Sequence, residues 1–91
     1  MLLRKLIAAG AALLAAGAVA AVEINRASQA ELESIKGVGP ALSSLIVDER
    51  RKGDFAGWDD LRARVKGVGP STAERLSRAG LTVNGKAYVR N

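Results

Sequence analysis

Lys36-Gly37-Val38-Gly39-Pro40 returns unchanged as Lys66-Gly67-Val68-Gly69-Pro70, thirty residues later in a chain of 91. Glycine permits tight turns and lets another backbone approach closely. Proline suits the first position of a helix, where its missing N–H has no intrahelical partner to lose. Each KGVGP therefore reads as a turn that ends one helix and opens the next. Repeating it at a fixed interval makes the unit helix–turn–helix and the domain an internal duplication. In so short a chain, two copies suggest that the turn itself is the working part.

Outward from the first copy, Ser28-Gln29-Ala30-Glu31 has the form of a capping box. It opens a helix that runs to about Lys36 and buries Leu32 and Ile35. The second helix extends from Pro40 to about Lys52, with Leu42, Leu45 and Ile46 as its apolar stripe. Arg50, Arg51 and Lys52 complement the dipole at its end, and Gly53 stops it. In the connector Gly53-Asp54-Phe55-Ala56-Gly57-Trp58, the two aromatics fold back as a plug on the core. Base stacking is the alternative use for such rings, although interleaved cations are missing there. Asp59 and Asp60 open a third helix with Leu61 and Val65 facing inward. After the second turn, a fourth helix runs to about Ala79 and is ended by Gly80. Residues 81–85 look extended or loose. The expectation is an all-α domain of four to five short helices over residues 22–83, with 84–91 as a short C-terminal tail.

The opening MLLRKLIAAGAALLAAGAVAA has a different composition. Arg4 and Lys5 precede an uncharged Ala/Leu-rich run that closes on Ala18-Val19-Ala20, a small-x-small cleavage pattern. Residues 1–20 thus read as a signal peptide that exports the domain to an oxidising compartment; an uncleaved membrane anchor is the alternative. Cleavage after Ala20 removes two of the 14 Lys+Arg and leaves a net charge of +3 (14 − 2 − 9). Anion binding would then have to come from local arrangement rather than bulk field. The chain contains neither cysteine nor histidine. That rules out disulfides, zinc sites and Ser-His or Cys-His nucleophile pairs, and no metal or other cofactor is expected.

A helix start preceded by a glycine turn suits a phosphate oxygen. Its first amides point outward without intrahelical partners, and the helix dipole adds positive charge there. Val38 and Val68, pointing inward, would pin each turn to the core. A dinucleotide fingerprint does not fit, because Leu42 and Thr72 stand where a third glycine is required. A P-loop would need Gly-Lys-Ser/Thr, which does not occur.

The two units resemble the helix-hairpin-helix motif, and the pair resembles the duplicated module of non-specific DNA-binding proteins. INRASQAELESIKGVGPALSSLIVDER, GDFAGWDDL and VKGVGPSTAERL together resemble the ComEA family of competence proteins, over about Val22 to Val83. The resemblance implies a periplasmic receptor that binds duplex DNA without sequence preference and works with DNA-uptake machinery. It also implies a mature form that is not embedded in a membrane and is not an enzyme. Two hairpins would sit across a minor groove and touch phosphates of both strands. On that basis Gly37, Gly39, Ala41, Gly67, Gly69, Ser71 and Thr72 would offer backbone amides, and Lys36, Lys66 and Arg75 would supply charge. Lys36 and Lys66 also stand where a solvated cation complements a helix C-terminus. The family often has a cation just after the glycine-proline pair, where this chain has Ala41 and Ser71. The first hairpin would therefore rely on amides and Lys36, and the second would add Ser71, Thr72 and Arg75. A structural protein that keeps the scaffold without binding DNA, as an extrinsic photosystem II subunit of similar fold does, is the second reading. A glycosylase-type enzyme lacks the length for a second catalytic domain.

Overall fold

A computed structural model of the chain describes residues 20–90, so the expected signal peptide lies, except for Ala20, outside the described residues. Within them the order is β1 (Val22–Glu23), α1 (Gln29–Glu33), α2 (Pro40–Arg51), α3 (Trp58–Arg64), α4 (Pro70–Arg78) and β2 (Leu81–Thr82). The domain is thus all-α with four short helices, joined by one two-residue parallel strand pair.

The capping box forms as read. The Glu31 amide donates to Ser28 Oγ (3.1 Å) and the Ser28 amide donates back to Glu31 Oε1 (3.0 Å). The helix it opens is shorter than expected and ends at Glu33, not Lys36. Beyond that point the chain tightens: the Val38 amide donates to Ile35 O (3.0 Å) and Gly37 turns to a φ of +100°. Ile35 stays buried although it sits in the turn.

The stripe on α2 keeps Leu42 and Ile46 against the core but differs from the periodicity reading at Leu45. Leu45 is 47 % exposed, while Ser43 and Ile46 are fully buried. The α1–α2 contact selects a small side chain at position 43. Its hydroxyl is fully partnered: Ser43 Oγ lies 3.0 Å from both Glu33 Oε2 and Pro40 O, and accepts from Gln29 Nε2 (3.1 Å). The equivalent residue of the second repeat, Ala73, is also fully buried.

The connector plugs the core as expected. Phe55 is inaccessible and Trp58 nearly so. Trp58 opens α3 itself, one residue earlier than the aspartates suggest. Arg64 holds the loop from beneath. It donates to Asp60 Oδ2 (3.0 Å), Asp54 O (3.2 Å) and Gly53 O (2.9 Å), with its guanidinium 4.4 Å from the Phe55 ring centroid. Asn25 brackets Phe55, accepting from its amide (2.8 Å) and donating to its carbonyl (3.1 Å).

Residues 81–90 are more ordered than the loose segment and tail expected from sequence. β2 lies parallel to β1, with Val22 opposite Leu81 and Glu23 opposite Thr82. Asn84 and Gly85 form a turn at positive φ, and Val83 bridges Lys86. The Trp58 indole donates to Lys86 O (2.9 Å), and the Tyr88 ring packs 5.4 Å from that of Trp58. Ile24, Leu81 and Val83 all join the core.

Candidate nucleic-acid interface

The two turns have the same backbone. Gly37 and Gly67 take φ of +100° and +98°. Gly39 and Gly69 take φ/ψ of −90°/−176° and −92°/−173°, and each stands at the N-cap of the following helix. Side chains avoid the left-handed region, so the first glycine of each KGVGP is dictated by the turn. The second is not: φ near −90° is open to any residue. Apart from the flanking residues, nothing among the described residues lies within 4 Å of a Cβ built at Gly39 or Gly69.

Val38 and Val68 are buried, anchoring each turn as expected. The first intrahelical bond of α2 runs from the Ser43 amide to Gly39 O (3.0 Å), and that of α4 from the Ala73 amide to Gly69 O (2.9 Å). Ala41 and Leu42, and likewise Ser71 and Thr72, therefore precede the helical ladder, and Pro40 and Pro70 have no N–H. No side chain caps either helix, in contrast to α1 with its Ser28 cap. Two sets of amides at helix N-termini are thus left for an external acceptor. Backbone donors aimed at one point, reinforced by the helix dipole, are suited to a phosphate oxygen.

The charged candidates distribute unevenly. Lys36 and Lys66 are exposed, and among the described residues neither enters an ion pair. Ser71 Oγ accepts from Arg90 (3.4 Å), which is held by Glu74 at 2.9 Å. Arg75 donates to Thr72 Oγ1 (3.2 Å). Arg75 and Thr72 also line one groove with Lys36 and Gly37 of the first turn, so Arg75 is not confined to the second hairpin. Sequence reading missed the Leu42 amide, although the thirty-residue offset from Thr72 marks it. It also missed Arg78, which joins that groove with no signal along the chain.

Two turns of matched backbone, each opening an uncapped helix and pinned by a buried valine, define a tandem helix-hairpin-helix domain. A family model for the helix-hairpin-helix motif matches residues 18–79, more than half of the sequence, and the chain belongs to that family. That membership supports nucleic-acid binding in general. No significant match was found among curated proteins or among solved structures.

Proposed function

We propose that this protein binds duplex DNA without sequence preference, through phosphates of both strands, and serves as a ComEA-like DNA receptor in the periplasm. The observation that carries the reading is the open second glycine of each turn. Serine or aspartate at Gly39 and Gly69 would cap the helices better than glycine does. Such a side chain would occupy the amides of the first turn, and aspartate would repel a phosphate. Glycine leaves the amides free and lets a sugar–phosphate backbone approach them. Among the described residues no helix presents a row of Asn, Gln or Arg of the kind that reads base edges, which favours contacts to phosphate and sugar.

The test is a salt titration with random-sequence duplex. Two hairpins engaging about four phosphates give a log–log slope near −3.6, with micromolar affinity, about −8 kcal/mol. Unrelated duplexes of equal length should compete equally; a tenfold preference, about 1.4 kcal/mol, contradicts the reading. A second reading, a structural helix-hairpin-helix protein of an exported complex, draws on the uncharged Ala41 and Ser71. Failure to bind duplex at low salt would decide for it. Export is tested separately by intact mass, which should show loss of residues 1–20 or 1–21.

A further inference from the structure

The hairpins share a backbone but not their surroundings. With an offset of thirty residues, Leu45 corresponds to Arg75 and Asp48 to Arg78. A surface groove of about 540 Å³ lies between the first turn and α4, lined by Lys36, Gly37, Thr72, Arg75, Leu76, Arg78 and Ala79. Three of its walls are cations and none is acidic. Gly37 brings the two elements together, since a Cβ there would stand 3.4 Å from Leu76 Cδ2.

We propose that this groove is a further phosphate seat, in which α4 of the second repeat contributes Arg75 and Arg78 to the strand held by the first hairpin. The proposal rests on the duplex-binding reading above and adds where the missing cations come from. Ala41 provides none after the first glycine-proline pair; Arg75 and Arg78 supply them from a different helix. Among the described residues Arg78 pairs only with Glu74, at a long 3.8 Å, while the other Glu74 oxygen is held by Arg90 at 2.9 Å. The C-terminal segment thereby occupies the carboxylate that would compete with a phosphate for Arg78. With Leu45 and Asp48 at the matching positions, the first repeat cannot offer the same charges to the second hairpin. The seat is built once, and the two strands of a duplex are held unequally.

Arg51 provides a matched control. Like Arg78 it sits in the last turn of the second helix of its repeat, with a long pair to a neighbouring carboxylate (3.5 Å) and similar side-chain exposure (74 % against 79 %). It does not line the groove. Arg78→Ala and Arg51→Ala remove the same charge, so bulk electrostatics alone would affect them alike. Binding of a short labelled random-sequence duplex is followed by anisotropy across a salt series, with helicity checked by circular dichroism. Arg78→Ala should lower the log–log slope by about 0.9 and weaken low-salt binding about fivefold, while Arg51→Ala leaves the slope unchanged. Equal effects of the two variants, or no effect of Arg78→Ala, overturn the groove. If Gly39→Val abolishes binding while Arg78→Ala is silent, only the groove falls; if the wild type does not bind, the duplex reading falls with it.

Discussion

Gly37 and Gly67 occupy the left-handed region, and Gly39 and Gly69 do not, although all four are identical letters in one motif. The difference separates two roles that the sequence presents together. Valine at Gly37 or Gly67 strains the turn and is expected to cost about 1–3 kcal/mol of stability. Valine at Gly39 or Gly69 has open space at its Cβ and gives up only a modest N-cap preference, about 1 kcal/mol or less. Those two variants should fold yet lose most duplex affinity, because the side chain stands where the phosphate backbone must come. Denaturant melts paired with duplex titrations of all four variants check this division. Glu23 is a second residue whose environment decides its role. Burial pushes its carboxyl pKa up, but this is outweighed by amide donation from Gly85 (2.7 Å), Asn25 (3.2 Å) and Asn84 (3.1 Å) and by the Thr82 hydroxyl (2.9 Å). The folded pKa is therefore below the ordinary glutamate value. A depressed carboxyl contributes stability that is fully present above its unfolded pKa, near 4.3, and is lost as pH falls through the folded value. Melting temperature should fall on acidification below that range, and Glu23→Gln should flatten part of the decline. The remainder belongs to other lowered carboxyls, among them Asp60, held down by the Ala56 amide and by Arg64.

At the scale of elements, α1 is five residues long and cannot persist by propensity alone. It is held by its capping box and by Leu32 in the core. The connector between the repeats has no regular structure, yet it is among the best-tied parts of the domain. Phe55 is inaccessible, hydrogen-bonded through its backbone to Asn25 and Asn84, and stacked against the Arg64 guanidinium. Phe55→Ala is expected to cost about 3–5 kcal/mol. That is most of what a domain of this size holds, at roughly 0.05–0.15 kcal/mol per residue. Urea melts should show a midpoint shifted far down or a chain already unfolded. Phe55→Leu, which keeps much of the volume, should lose far less. Burial of both connector aromatics also leaves neither ring free for base stacking, the alternative open at the sequence level.

For the described domain as a whole, the deciding feature is the pairing of its first segment with its last. The family match stops at residue 79, yet Leu81 and Val83 beyond it are fully buried. β2 pairs with β1, and the Glu23 carboxylate accepts from four donors, three of them at residues 82–85. A chain ended after Gly80 retains both hairpins but loses two core side chains, three of the four donors to Glu23 and the partners of Trp58. Large apolar deletions cost about 2–5 kcal/mol each, so this truncation is expected to abolish cooperative thermal unfolding, as calorimetry would show. Two hairpins would then be present in sequence without a frame to hold them at a fixed spacing. What the sequence by itself determined is local: the capping box, the turns, the proline starts and the duplication. These depend on dihedral preferences and hydrogen bonds within four or five residues, and they made the helix-hairpin-helix class and the uncapped helix starts at Ala41, Ser71 and Thr72 legible. The side of α2 that meets the core was legible in Leu42 and Ile46, but not the exchange of Leu45 for Ser43, because those two are distinguished only by how closely α1 approaches. Nor was the place of Arg75 and Arg78 beside Lys36, or of Glu23 beside Gly85, since those pairs are separated by at least 39 residues. Contacts at such separation are set by how the packed elements close on one another, and only the tertiary structure decides them.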